Sequence, residues 1–271
     1  MIPVGQRETA LQSRSKFRDE GSCIVTRVVC VANQKGGVGK TTTAVNLAAA
    51  CARSGRHVLL VDLDPQCNAT TGLGESPEDS HPLVGTRPLR EFISETSVER
   101  LELLPGSRSF QDVEQLAQGN HRQTELIRDH FTRSFGAYDM VFIDCPPSMG
   151  HLTQAALAGS TEVLMPIQCE YFAMEGLAQM IEIIGSVIEQ QDSRLQFGGI
   201  VLTMYEESLE LTREVDLEVR EFFGEVVYQT VIPRDVAVAE SPSHGQPVID
   251  YAPRARGTRA YMELCMEVLE R

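Results

Sequence analysis

The stretch NQKGGVGKTT, residues 33–42, decides the fold of this 271-residue chain. It follows an apolar run (28–32) and opens a helical pattern (41–53). Glycines let backbone N–H groups turn toward a phosphate, and the helix N-terminus adds the positive end of its dipole. Lys40 can then reach the β- and γ-phosphates of ATP, while the Thr41 hydroxyl can ligate Mg²⁺. The predicted nucleotide-binding residues of this loop are Lys35, Gly36, Gly37, Val38, Gly39, Lys40, Thr41 and Thr42.

The loop departs from the common GxxxxGK[ST] pattern at its beginning. Gln34 occupies the position of the first glycine, and Lys35 stands directly before Gly36. This second lysine makes KGGVGKTT resemble the deviant Walker A class of P-loop proteins. The resemblance implies that Lys35 reaches across a dimer interface to the nucleotide of the partner subunit, and so takes part in catalysis together with Lys40.

Two aspartates follow apolar strands at positions that suit a P-loop enzyme. Asp64 lies in the motif DLDPQCN (62–68), and Asp144 directly follows the run VFI (141–143). A carboxylate at the end of a strand beside a P-loop can hold the water shell of a metal ion. We therefore predict that Asp144, with Thr41, binds Mg²⁺, and that Asp64 orients the attacking water as a catalytic residue. Either carboxylate, taken alone, could instead cap the turn after its strand.

The remaining pattern predicts an α/β fold with a doubly wound, mostly parallel sheet. Short apolar runs alternate with helical stretches such as 176–190, and several runs are continuous, as in strands covered on both faces. We predict strands at 28–32, 58–61, 101–104, 140–143, 163–167, 199–202 and 226–232. Residues 1–25 are predicted to be a flexible extension, and residues 26–271 a single P-loop ATPase domain.

Composition limits the remaining choices. The formal net charge of −14 provides no general attraction to DNA or anionic lipid. The sequence contains no run of about 18 apolar residues, so no membrane-spanning helix is predicted. The N-terminus lacks the apolar core of a signal peptide. The seven cysteines form no CxxC pair, which favours reduced thiols in a cytoplasmic protein.

From residue 28 to the C-terminus, the chain resembles the ParA/Soj family of chromosome and plasmid partitioning ATPases. The motifs that carry the resemblance are KGGVGKTTTAVNLAAACARSGRHVLLVDLDPQCNATTGLG, YDMVFIDCPPSMGHLTQAAL, PIQCEYFAMEGL, VLTMY, VIPRDVAVAESPSHGQPV and DYAPRARGTRAYMEL. The resemblance implies an ATP-bound homodimer, a ParB-like activating partner and association with the nucleoid. It also implies that Met204 and Pro233 flank the adenine, and that a switch segment after Asp144 senses the γ-phosphate.

Nonspecific DNA binding is the one family property that the residues oppose. Family members that bind DNA usually carry arginines where this chain has Ser208 and Ala237. The surrounding segment is acidic, with Glu206, Glu207, Glu210, Glu214, Asp216, Glu218 and Glu221. Substitute contacts could come from the arginines 254, 256 and 259, or from the basic stretch 14–18. DNA as a partner therefore stays open at this point.

Three alternatives remain beside the partitioning ATPase. A MinD-like membrane-cycling ATPase would need a basic amphipathic helix at the C-terminus. Here the helix has an apolar stripe that contains Leu264 and Val268, but its opposite side is acidic, which anionic lipid would repel. No membrane partner is therefore predicted. A reductase that holds a metal cluster would need paired cysteines, and Cys145 has no clear companion in the sequence. The third alternative is a nucleotide-gated scaffold that does not hydrolyse ATP. The four residues expected to bind and hydrolyse ATP are all present, which argues against it: Lys40, Thr41, Asp64 and Asp144.

Overall fold

In a computed structural model, the protein is built around one eight-stranded sheet. The structure describes residues 26–84, 87–109, 112, 131, 134–148, 150–170, 173–189 and 193–271. The predicted extension, residues 1–25, lies outside the described residues, as does the basic stretch 14–18.

The sheet has the strand order β3-β4-β2-β5-β1-β6-β7-β8. Neighbouring strands are parallel, except that β3 runs antiparallel to β4. The strands are β1 (Arg27–Val31), β2 (Val58–Asp62), β3 (Ser94–Glu95), β4 (Leu101–Leu104), β5 (Met140–Asp144), β6 (Glu162–Gln168), β7 (Gln196–Tyr205) and β8 (Val227–Pro233). The predicted doubly wound α/β fold is thus confirmed, with β1 near the middle of the sheet.

Helices cover both faces of this sheet. They are α1 (Lys40–Arg53), α2 (Asn68–Gly72), α3 (His151–Ala158), α4 (Ala173–Ile188), α5 (Glu210–Phe223), α6 (Val236–Glu240), α7 (Val248–Tyr251) and α8 (Arg256–Glu270). Helix α1 contains a run of alanines, and alanine has the highest intrinsic helix propensity of the amino acids.

Two apolar cores, one on each face, hold the layers together. Leu47 of α1 and Leu264 of α8 are completely buried in the first core. Met180 of α4 and Val219 of α5 are completely buried in the second. Side chains of β1 alternate between the two cores, as expected for a central strand covered on both sides.

The C-terminal helix α8 is packed against the rest of the protein. Its Leu264 and Val268 are buried, and the Arg27 guanidinium donates a 2.7 Å hydrogen bond to the Val268 carbonyl. The Glu267 carboxylate accepts hydrogen bonds from the backbone N–H groups of Gln229 and Thr230 in β8. The apolar stripe that a MinD-like membrane helix would insert into lipid is therefore already used in the core.

Candidate nucleotide site

The phosphate loop connects β1 to α1 at the carboxyl edge of the sheet. Gly37 and Gly39 have φ angles of 75° and 87°, in the left-handed region that side chains other than glycine rarely adopt. Gly39 is also the N-cap of α1, so the helix starts at Lys40 with its first N–H groups directed at the loop. This local geometry is that of an anion-binding helix start.

Two polar side chains that the sequence did not single out brace the loop. The Asn33 amide donates a 2.8 Å hydrogen bond to the Pro166 carbonyl, and its oxygen accepts one from the Lys35 N–H at 2.9 Å. The Thr203 hydroxyl, on β7, donates to the Val38 carbonyl at 2.8 Å. The loop is therefore held from two neighbouring strands, β6 and β7. Thr203 carries no sequence signal of its own, whereas Asn33 opens the loop motif.

Lys40 is buried at the start of α1, with only 6% of the residue exposed. Its ammonium donates a 2.9 Å hydrogen bond to the carbonyl of Lys35 and so lies within the curve of the loop. Burial lowers the pKa of Lys40, and the carboxylates of Asp144 and Asp64 oppose that shift. The charge of Lys40 is thus held among acidic groups, at the place where phosphates would be bound.

Lys35 is in a different environment from Lys40. Its ammonium forms a 2.7 Å ion pair with the Glu170 carboxylate, which follows β6, and both side chains are partly exposed. Glu170 is a contact that the sequence analysis missed, since the two residues are 135 positions apart. In this conformation Lys35 is held by its own subunit.

Asp144 ends β5 directly beside the phosphate loop. The residue is completely buried, and neither carboxylate oxygen has a hydrogen-bond partner among the residues that the structure describes. Burial raises the pKa of Asp144 well above its usual range, and Asp62 on the neighbouring strand adds to the effect. The nearby Thr41 hydroxyl and the Lys40 ammonium act in the opposite direction. A buried carboxylate without a partner is costly, so this site suits a cation.

Asp64 and Asp62 lie at the end of β2, next to β5. Asp64 is 6% exposed, and its carboxylate accepts a 2.9 Å hydrogen bond from the Gln66 N–H. Asp62 accepts hydrogen bonds from the Asp64 N–H and from both the N–H and the hydroxyl of Thr70. Burial raises the pKa of Asp62 to about 6. Asp62 thus fixes the backbone that carries Asp64, a role that the sequence motif alone did not indicate.

The two predicted adenine contacts lie at the ends of adjacent strands, both partly buried. Met204 is in β7 with a φ of 50°, one residue after the Thr203 that braces the loop. Pro233 ends β8, where it pairs with Tyr205. The structure therefore brings both residues to the carboxyl edge of the sheet, on the β7–β8 side.

The donor set at this edge fits Mg²⁺ better than a metal held by protein alone. Among the described residues, no group of three or more His, Cys, Asp or Glu side chains could enclose an ion. Mg²⁺ is commonly bound through one or two carboxylates and the substrate phosphates. The unpartnered Asp144 carboxylate and the neighbouring Thr41 hydroxyl offer such an incomplete set.

A glycine loop between the central strand β1 and a helix, with carboxylates at the ends of β5 and β2, the next two strands on one side of β1, defines the P-loop class of nucleotide-binding folds. Comparison with known proteins narrows this class. The family model described as an AAA domain matches residues 26–197. The sporulation initiation inhibitor protein Soj of Bacillus subtilis is 42% identical over 248 residues, covering 89% of this chain and 98% of the relative.

The chromosome partitioning protein ParA of Myxococcus xanthus gives a similar match, 39% identical over 93% of this chain and 91% of its own length. The chain therefore belongs to the ParA/Soj family of P-loop proteins, as its motifs predicted. Among solved structures, cobyrinic acid a,c-diamide synthase from Mycobacterium smegmatis, with a bound ATP analogue and magnesium, is 33% identical. Its TM-score is 0.78, with 91% of this chain and 95% of that chain covered.

Proposed function

We propose that this protein is a MgATP-dependent ATPase that dimerises with ATP and acts in the partitioning of DNA, chromosome or plasmid, or in the positioning of another cargo. The single observation that carries the proposal is that two buried charged groups lie close together at the phosphate loop. They are the Lys40 ammonium and the Asp144 carboxylate, which accepts no hydrogen bond from the described residues. The ATP analogue and magnesium in the related synthase structure, and the names of the ParA and Soj relatives, support it.

Each residue of the site has a distinct task in this proposal. The loop N–H groups and Lys40 bind the phosphates, while Met204 and Pro233 flank the adenine. Asp144 and Thr41 would hold Mg²⁺, which supplies charge neutralisation on the phosphate oxygens. Asp64 orients the attacking water and accepts a hydrogen bond from it.

Dimerisation enters the proposal through Lys35. In the described conformation Lys35 is paired with Glu170 of its own subunit. An ion pair between partly exposed groups contributes only about 0–1 kcal/mol. A triphosphate in the partner subunit, with its higher negative charge, can therefore compete for Lys35. The dimer would then form only when ATP occupies both subunits.

DNA is the second partner in the proposal, through the exposed arginines at the start of α8. Arg254, Arg256 and Arg259 are all exposed. By contrast, Arg220 of α5 is paired with Asp216 at 2.6 Å. Arg234 is likewise paired, with Glu206 at 2.6 Å. Arginines that already have a carboxylate partner are poor candidates for phosphate contacts, which favours the cluster on α8.

No helix in the part of the chain that the structure describes is long and apolar enough to cross a bilayer. The burial of the apolar side of α8 disfavours a MinD-like membrane cycle, which would need that side free to enter lipid. A non-hydrolysing scaffold has no such structural objection, and only its lack of turnover would distinguish it.

The proposal is tested by two measurements on the purified full-length protein with MgATP. Phosphate release should be slow but above the blank, and light scattering should show the mass of a dimer with ATP and of a monomer with ADP. Dimerisation without phosphate release would instead identify the nucleotide-gated scaffold. Failure to bind ATP in a calorimetric titration would contradict both.

A further inference from the structure

The described part of the chain contains two pairs of cysteines whose sulfurs lie close together, and all six described cysteines are free thiols. Cys51 of α1 and Cys265 of α8 have their sulfurs 3.5 Å apart. Cys30 of β1 and Cys145, which follows β5, have theirs 3.4 Å apart. The two pairs have similar spacing, so their surroundings decide which one reacts.

We propose that Cys51 and Cys265 form a redox-active dithiol, which a hydroperoxide converts to a disulfide that joins α1 to α8. Cys265 is the nucleophile, and Cys51 is the resolving thiol. The proposal concerns a site that lies apart from the nucleotide loop and does not depend on the proposed function.

The first support is the hydrogen bonding around Cys265. Its sulfur lies 3.5 Å from the Ser54 hydroxyl as well as 3.5 Å from the Cys51 sulfur. The Cys51 thiol can donate to a thiolate at Cys265, and the Ser54 hydroxyl, which here donates to the Ala50 carbonyl at 2.9 Å, can rotate to do so. The contact with Cys51 lowers the pKa of Cys265 to about 7, and Ser54 and the Arg56 guanidinium act in the same direction. The same contact raises the pKa of Cys51, which stays a thiol.

The second support is the location of the pair near the surface. Both cysteines are buried, but Ser54, which contacts Cys265, is exposed at the end of α1. The pair thus lies one side chain below the solvent, within reach of a small oxidant after a local opening of the helix ends.

The chemistry balances with a hydroperoxide as the oxidant. The Cys265 thiolate attacks one peroxide oxygen and breaks the O–O bond, which gives a sulfenic acid and releases hydroxide. The Cys51 sulfur then attacks the sulfenic sulfur, forms the S–S bond and releases water. In total the two thiols lose two electrons and two protons, and one H₂O₂ becomes two water molecules.

The pair formed by Cys30 and Cys145 provides an internal comparison. Both sulfurs are buried in the middle of the sheet. They belong to the core that lies beneath α4 and α5. A hydroperoxide would have to pass through this packed layer to reach them, so this pair is expected to stay reduced.

The test is oxidation of the full-length native protein with H₂O₂, followed by measurement of the intact mass and then by alkylation and peptide mapping. The wild type should lose about 2 Da and give one cross-linked peptide containing Cys51 and Cys265, which dithiothreitol reverses. The cross-link should also raise the melting temperature by roughly 5 °C or more, because it closes a very long loop.

Two matched variants separate the roles of the cysteines. Cys51→Ser should stop at the sulfenic acid, with a gain of about 16 Da that a dimedone probe captures. Cys265→Ser should form neither product. A cross-link between Cys30 and Cys145, or native wild type that keeps all thiols while the urea-unfolded protein oxidises, would overturn the proposal. If a variant does not fold, the wild-type peptide map alone still decides.

Discussion

The carboxyl edge of the sheet and the outer surfaces of α5 and α8, which cover opposite faces of the sheet, differ in how their charged residues are placed. At the edge, Lys40 and Asp144 are buried close to each other and to Asp64. On the outer surfaces, Arg254 and Arg256 are exposed at the start of α8, while the charged residues of α5, on the other face of the sheet, are mostly acidic. Phosphate chemistry restricts the residues of the first region, whereas many arrangements of surface charge are compatible with the same fold. The nucleotide switch is therefore more predictable than the partner it acts on.

The largest expected effect comes from removing the buried cation of the loop. Lys40→Ala should lower the affinity for MgATP by roughly a thousandfold, about 4 kcal/mol, because a charge-assisted contact to the phosphates is lost in a buried site. Calorimetric titration measures the affinity. Arg87→Ala, which removes an exposed cation outside the site, is the control and should bind as wild type does. Unchanged affinity in a folded Lys40→Ala protein would contradict the site.

The next effect should appear in hydrolysis and not in binding. Asp64→Ala should bind ATP, lose roughly a hundredfold in hydrolysis rate and persist as a dimer in light scattering, because the group that orients water is missing. The Asp64 carboxylate also holds the turn at Gln66, so alanine changes two things at once. Asp64→Asn can keep that hydrogen bond and removes only the charge. If Asp64→Asn hydrolyses ATP at the wild-type rate, another residue positions the water.

These first two predictions concern residues that the sequence identified, and the reason is physical. A loop that binds phosphate needs glycines at left-handed positions and one lysine at the helix start, so Gly37, Gly39 and Lys40 stand at a fixed spacing. The aspartates follow strands that are apolar on both faces, and Asp144 was found at the predicted strand end. Leu264 and Val268, which the sequence placed on one apolar stripe, are both buried in the structure.

Long-range contacts could not be predicted in the same way. Glu170 reaches Lys35 only because β6 lies next to β1 in the sheet, and nothing in the local sequence records that neighbour. The partner of Cys145 was missed for the same reason, since Cys30 is 115 residues away. Strand β3 has only two residues, too few for a periodic pattern.

A smaller effect is expected at Lys35, the lysine proposed to reach across the dimer interface. Lys35→Ala should bind ATP as a monomer with nearly wild-type affinity and weaken ATP-dependent dimerisation by roughly tenfold, about 1.4 kcal/mol per interface. Sedimentation velocity over a range of protein concentrations measures that constant.

Glu170→Gln is the matched variant, because it frees Lys35 from its ion pair and leaves Lys35 itself in place. It should dimerise at least as well as wild type, with a gain of fivefold at most. Wild-type dimerisation by Lys35→Ala would refute the contact across the interface.

The smallest effect, and the one that most directly tests the comparison of the two regions, concerns DNA. Screening limits the repulsion from the net charge of −14 to about 8 Å at physiological salt, so a local arginine cluster can still bind phosphates. ATP-dependent gel shifts should therefore appear at about 50 mM salt and weaken steeply as salt rises.

Arg254→Ala/Arg256→Ala should reduce affinity several-fold and lower the salt slope by roughly 0.9 for each lost phosphate contact. Arg213→Ala, on the acidic helix α5, should change neither quantity. An equal loss in Arg213→Ala would move the DNA contact to α5, and no shift at about 50 mM salt would remove DNA as a partner while leaving the nucleotide switch intact.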